Sequence, residues 1–120
     1  MIEFKRIDHI QLNIPPGEEE AGRSFYCGIL GFAEIEKPEA LKKNGGFWVE
    51  AGEIQLHIGV EERPGPSKRH PAFEITDVDT ARTYLAGKGV PCRDHTAIPG
   101  VKRFSLFDPW NNRIELVEKI

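Results

Sequence analysis

The sequence is short of cysteine, of unbroken apolar stretches and of surplus positive charge. Cys27 and Cys92 are the two cysteines in 120 residues and neither belongs to a paired-thiol motif, so no disulfide framework is expected and both thiols read as reduced. No apolar run approaches the length of a membrane span, which excludes a membrane partner of that kind. With 16 lysines and arginines against 19 acidic residues, a net charge of -3 and a pI near 5.8, the chain has no broad basic surface for a nucleic-acid backbone. The local pairs Lys68-Arg69 and Lys102-Arg103 are left for a small anionic ligand. Residues 1–5 lack the basic segment and apolar run of a secretory signal, so the expected compartment is the cytoplasm. What is present is 39% hydrophobic residues, enough for one compact domain over 1–120 with a modest core.

Periodicity organises that domain. Residues 6–14 alternate as a half-buried strand, with Ile10, Leu12 and Ile14 on one face, His9, Gln11 and Asn13 on the other, and Pro15-Pro16 as the stop. A helix is expected from Gly17, with Glu18, Glu19 and Glu20 where the helix dipole favours negative charge. Its inward stripe is Phe25, Ile29 and Leu30, and Gly31 ends it. A short strand over 32–36 and a helical turn over 38–43 precede strands at 47–51 and 54–60, joined by a tight turn at Gly52-Glu53. Residues 61–69, with Pro64, Gly65 and Pro66, read as a linker. Beyond it come a strand over 70–75, a helix over 78–88 capped by Thr76 or Asp77 with Val78, Ala81 and Leu85 inward, and strands over 90–94, 101–107 and 112–118. Asp108 to Asn111 is a turn before the last strand.

The chain therefore reads as one unit written twice. Module one spans 5–60 and module two 70–118, each strand, helix, strand, strand, strand, an α+β fold. Gly52-Glu53-Ile54-Gln55-Leu56 lines up with Asn112-Arg113-Ile114-Glu115-Leu116, and His9 lines up with His70. In the last strand Ile114 and Leu116 face one way while Arg113, Glu115 and Val117 face the other, so a carboxylate looks out of the apolar layer from mid-strand. Because the apolar faces must bury against the helices, His9, Gln55, His70 and Glu115 should line the opposite side of a curved sheet. Two imidazoles and a carboxylate, with positions left for water or substrate, suit Fe(II), Mn(II), Zn(II), Ni(II) or Co(II). His57 shares a face with Gln55 about 7 Å along the strand. Trp48 and Arg103 are candidates to grip a substrate ring or acid group, with packing as the alternative. Glu74 shares a face with His70 and is a candidate to orient it, with an ion pair to a lysine or arginine as the equal alternative.

The doubled unit, together with Arg23-Ser24-Phe25-Tyr26, Leu30-Gly31-Phe32 and Phe107-Asp108-Pro109-Trp110-Asn111-Asn112-Arg113-Ile114-Glu115-Leu116, resembles the vicinal oxygen chelate superfamily of glyoxalases, bleomycin-resistance proteins, fosfomycin-resistance thiol transferases and extradiol dioxygenases. The resemblance covers residues 7–118. It implies paired modules in an eight-stranded open barrel, a divalent metal held by His9, His70 and Glu115 with Gln55 as a weak ligand, and a homodimer.

The activity implied is that of a lyase or isomerase of the glyoxalase type, acting on a small molecule chelated through adjacent oxygens, with Glu115 or His57 moving a proton. Gln55 departs from the glutamate that glyoxalase I carries at that position; an amide coordinates weakly and is no base. The two-histidine, one-carboxylate set also fits an extradiol dioxygenase, with His57 beside the iron, and a thiol transferase, although Gln11 stands where those transferases carry threonine. The remaining alternative is a metal-free binding or resistance protein using the same cavity.

Overall fold

In a computed structural model that describes residues 1–62 and 65–120, the chain divides into two compact units, the second opening at Gly65. The expected linker over 61–69 lies in part, at residues 63 and 64, outside the described residues.

The first unit contains β1 (Ile10–Ile14), α1 (Glu19–Arg23), β2 (Ala33–Ile35), β3 (Phe47–Ala51) and β4 (Ile54–Val60). Its sheet runs β1-β4-β3-β2, with β1 parallel to β4 and the other pairs antiparallel. The second unit repeats this plan with β5 (Ala72–Glu74), α2 (Val78–Gly87), β6 (Cys92–Arg93), β7 (Val101–Phe107) and β8 (Arg113–Lys119), in the order β5-β8-β7-β6 with β5 parallel to β8. Both units are strand, helix, strand, strand, strand, so the α+β class and the doubled plan read from the sequence hold.

Each sheet is apolar on one face. Ile14, Phe25, Tyr26, Phe47, Val49, Leu56 and Ile58 are buried in the first unit; Phe73, Leu85, Phe104, Leu106 and Ile114 are buried in the second. The alternation within β4 and β8 thereby turns Gln55, His57, Arg113 and Glu115 to the other face.

Three expectations need correction. The first helix is not a single α-helix: after Arg23 it widens into a π-helical run, Ser24–Ile29, in which Leu30 N–H donates to the Phe25 carbonyl at 3.0 Å. The wider turn rotates the following side chains, so the inward set is Gly22, Phe25 and fully buried Tyr26, while Ile29 and Leu30 are half-buried. Strand β1 starts at Ile10 rather than residue 6, because β4 begins at Ile54 and the parallel ladder, with Ile10 opposite Leu56, runs out within two residues. His9 therefore precedes the strand. Likewise β5 starts at Ala72, leaving His70 ahead of it, next to Pro71, whose carbonyl still accepts from Glu115 N–H at 3.0 Å.

Elsewhere the local signals agree with the structure. Asp77 caps α2, its side chain accepting from Thr80 N–H at 2.9 Å. Asp108 builds the turn before β8 by accepting from the N–H groups of Trp110 (3.0 Å) and Asn112 (2.8 Å), with Asn111 at φ 70°. Among the described residues no helix is long and apolar enough to cross a membrane.

Gly46 joins the 3-10 turn Glu39–Asn44 to β3 at φ 81°, and a Cβ there would collide with the Ile58 carbonyl oxygen. Gly87, at the end of α2, has open space around its Cβ position and no such φ. Gly46→Ala should lower unfolding stability by about 2 kcal/mol or more, and Gly87→Ala should leave it equal or raise it by about 0.5–1 kcal/mol. Urea denaturation of both variants checks the pair.

Candidate functional site

The polar face of the second sheet carries a compact charged cluster centred on Glu115. This side chain is 9% exposed, and each of its oxygens meets a different cation. Arg103 Nη1 donates to Oε2 at 3.2 Å, and its Nη2 donates to the Thr96 carbonyl at 2.8 Å. His70 Nε2 lies 3.0 Å from Oε1, and Arg113 Nη2 lies 3.7 Å from the same oxygen. Burial alone would raise the Glu115 pKa, but the hydrogen bonds from Arg103 and His70 and their charges together hold it below its ordinary value. The carboxylate is therefore ionised and accepts only.

His70 sits between two acceptors. Its Nδ1 is 3.0 Å from the Lys68 carbonyl oxygen, and its Nε2 faces ionised Glu115. A neutral imidazole has one N–H. With Nδ1–H given to the carbonyl, Nε2 meets Oε1 favourably only through a second ring proton, the one that supplies the hydrogen bond to Glu115, or through a metal cation in that proton's place. Two ligands at right angles on a metal with bonds of about 2.1 Å stand about 3.0 Å apart, which matches the observed separation. A carbonyl holding the far nitrogen is also the usual support of a metal-bound histidine. Lys68 fills that role here rather than Glu74.

The first unit is built differently. His57 lies between two rings, stacked on His9 at 3.9 Å and 16° and on Trp48 at 3.7 Å and 4°. Its edge nitrogen Nε2 is 3.3 Å from Gln55 Oε1. Burial, followed by the neighbouring His9, pushes the His57 pKa down, so it is a neutral imidazole that donates Nε2–H to the amide and keeps its lone pair on Nδ1. His9 Nδ1 is held by Asp8 Oδ2 at 2.8 Å, which leaves Nε2 as the nitrogen able to ligate. The Asp8 carboxyl is held below its usual value chiefly by that hydrogen bond. His9, Trp48, Gln55 and His57 line a cavity of about 460 Å³ together with Lys37 and Gln11.

The ladders also refine the internal repeat. In the first unit Gln11 is opposite His57 and Leu12 opposite Ile58; in the second, Ala72 is opposite Glu115 and Phe73 opposite Leu116. Aligning His9 with His70 sets Gln11 on Ala72, so the position matching Glu115 is His57. Aligning Gln55 with Glu115 instead sets His9 on Ala72. The two correspondences are two residues out of step and cannot both hold, although both keep the side chains on the same face.

The predicted residues thus fall into two groups. His70, Glu115 and Arg103 meet in the second unit; His9, Gln55, His57 and Trp48 meet in the first. Among the described residues no group of three or more His, Cys, Asp or Glu side chains is close enough to hold a metal. His70 with Glu115 is the pair whose geometry fits adjacent ligands. Three contributors were missed: Arg113, whose Nε donates to Ser105 Oγ at 2.8 Å, Ser105 itself, and His95, whose Nε2 is 2.6 Å from Ser105 Oγ. Arg113 shares its face with Glu115 by simple alternation, so that signal was present. His95 lies in a segment without periodicity and gave none.

A family model described as the Glyoxalase/Bleomycin resistance protein/Dioxygenase superfamily matches residues 6–116. The chain belongs to this superfamily. Its fold is that of a glyoxalase family protein from Bacillus anthracis, which is 43% identical, superposes with a TM-score of 0.92 and is covered to 99%, with all of this chain matched. YaeR of Escherichia coli K12 is 30% identical over 131 aligned residues, covering 99% of this chain and all of YaeR. The fosfomycin resistance protein FosX of Listeria monocytogenes, crystallised with Mn(II) and sulfate, is 17% identical with a TM-score of 0.79 over 98% of this chain and 93% of its own, a likeness of fold alone.

Since the folded-state pKa of Glu115 is depressed, its ion cluster stabilises the protein above the ordinary carboxylate value of 4.5, and that contribution is lost as pH falls through the folded value. Glu115→Gln should therefore cost about 2–3 kcal/mol near pH 7 and progressively less as the pH is lowered below 4.5. Urea titrations of metal-free protein at several pH values check this; a cost independent of pH would contradict it.

Proposed function

We propose that this protein is a metal-dependent glyoxalase-family enzyme of the lyase or isomerase type, acting on a small molecule that presents adjacent oxygens. The observation that carries this reading is His70, whose two ring nitrogens both face acceptors and whose Nε2 is 3.0 Å from an ionised carboxylate oxygen. His70 and Glu115 would hold a divalent cation in place of the Nε2 ring proton. His70 and Glu115 are the proposed ligands in the second unit; in the first, His9, whose Nδ1 is likewise held by an acceptor, is proposed as a ligand of the same type, with Gln55 as a weak one. The Mn(II) in FosX belongs to that protein, and it supports a divalent metal here as a proposal.

A bound cation of this kind supplies Lewis acidity towards the substrate oxygens. The chain's own residues then divide the remaining work. Arg103 fixes Oε2 of Glu115 and holds the carboxylate ionised, which suits a ligand and makes it a weak base. Its Nε is buried without a hydrogen-bond partner among the described residues, a donor left over for an acidic group of the substrate. His57 is the better proton acceptor: neutral, with Nε2–H committed to Gln55, it takes up a proton at Nδ1, and the Trp48 and His9 rings covering its faces leave only its edge open. Trp48 acts through His57 in this scheme rather than by gripping substrate directly.

Metal content measured by mass spectrometry on tag-free protein tests the reading. About one divalent metal per chain is expected in wild type, with loss in His70→Ala and Glu115→Gln and weakened retention in His9→Ala. A wild-type protein that holds none, and takes up none on titration with Fe(II), Mn(II), Ni(II), Co(II) or Zn(II), would overturn it in favour of a metal-free binding protein.

A further inference from the structure

We propose that Ser105 and His95 form a tether that holds the Arg113 guanidinium away from Oε1 of Glu115, keeping that oxygen open for a cation; this rests on the metal reading above. The two arginines beside Glu115 are placed unequally. Arg103 is hydrogen-bonded to Oε2 at 3.2 Å, whereas Arg113 Nη2 stops 3.7 Å from Oε1, the oxygen that faces His70. Closing to a hydrogen bond takes less than an ångström. An unrestrained guanidinium beside a buried carboxylate would close it, because charge-assisted bonds of this type are strong.

Arg113 is restrained at two points. Its Nε donates to Ser105 Oγ at 2.8 Å and its Nη2 donates to His95 Nε2 at 3.2 Å. Ser105 closes the triangle, since its oxygen accepts from Arg113 and its hydroxyl proton is free to go to His95 Nε2 at 2.6 Å. Nε2 has one lone pair, shared between the two donors, and it is available only in a neutral imidazole with its proton on Nδ1. Burial, and then the charges of Arg113, Arg103 and Arg93, push its pKa down and favour that form. Ser105 is fully buried, which keeps water from competing for these bonds.

The ladder explains why the parts meet. Ser105 is directly opposite Glu115, Phe107 opposite Arg113 and Arg93 opposite Ser105. Arg113 is therefore the diagonal neighbour of Ser105 on the same face, within reach of a long side chain. His95 follows β6 in the segment beyond Arg93 and is brought to that face by its contacts with Ser105 and Arg113. If the tether were absent, both Glu115 oxygens would be paired with guanidinium groups, and a metal would have to displace one of them.

Two measurements test this: Co(II) affinity by calorimetry, and crystal structures of metal-free protein. In His95→Ala the Arg113–Glu115 Oε1 distance should fall from 3.7 Å to about 3 Å, and Co(II) affinity should drop about tenfold or more. Ser105→Ala should move both in the same direction. His95→Gln, which keeps an acceptor, should stay near wild type. Arg113→Gln should bind Co(II) at least as well as wild type, and the double variant His95→Ala/Arg113→Gln should recover the affinity lost in His95→Ala. A loss that persists in the double variant, or a guanidinium that stays 3.7 Å from Oε1 in metal-free His95→Ala, would overturn the tether. Absence of Co(II) uptake by wild type would instead overturn the metal reading on which it rests.

Discussion

The structure of the second unit depends on keeping one buried carboxylate charged. Removing Glu115 from water costs several kcal/mol, and that cost is offset only by the groups that meet its two oxygens. The sheet is built to supply them. Val117, opposite Arg103 on β7, and Ser105, opposite Glu115 itself, leave room on the polar face for two arginines to lie along it, while Phe104, Leu106 and Ile114 close the other face against the core. Phe73, on β5 opposite Leu116, anchors the segment from which His70 reaches Oε1. Core packing, ladder register and the electrostatics of the cluster are consequently one arrangement, and a one-residue slip of β8 would bury Arg113 and expose Ile114.

The first unit uses the same ladder for a different purpose. At the position that Glu115 occupies when the first strands are aligned, it has His57, and in place of an ion cluster it has three stacked rings. A neutral imidazole between His9 and Trp48 needs no countercharge, so this half of the protein avoids the desolvation cost that the second half must offset. The two copies have thus diverged in chemistry while keeping their backbone. One offers a charged pair suited to holding a cation, the other a neutral base and an aromatic wall.

Most of this was legible in the sequence where side-chain period and turn chemistry govern. Strands β3, β4 and β7 begin and end where alternation and their flanking glycines placed them, Asp77 caps its helix, and the face carrying Gln55 and Glu115 followed from period two. Three features were not legible, for physical reasons. The π-helical run at Ser24–Ile29 follows Gly22, which packs tightly against Phe47 and Ile14, and it buries Phe25 and Tyr26 together, a tertiary demand that helical periodicity does not show. The start of β1 depends on where β4 begins, a partner that the strand itself does not encode. Equating Gln55 with Glu115 and His9 with His70 at once relied on local similarity, and only the pairing of Ile10 with Leu56 and of Phe73 with Leu116 exposes the two-residue offset. His95 lay outside every periodic segment, and nothing short of three-dimensional structure connects it to Arg113.

Nitrogen-15 spectra of the histidine side chains, recorded as Zn(II) is added to metal-free protein, report whether His70 and Glu115 hold a cation. At saturation His70 should keep its proton on Nδ1, donated to Lys68, and carry none on Nε2, whose resonance should move with metal. A His70 that retains its Nε2 proton at saturating Zn(II), or whose spectrum does not respond, would contradict the metal reading.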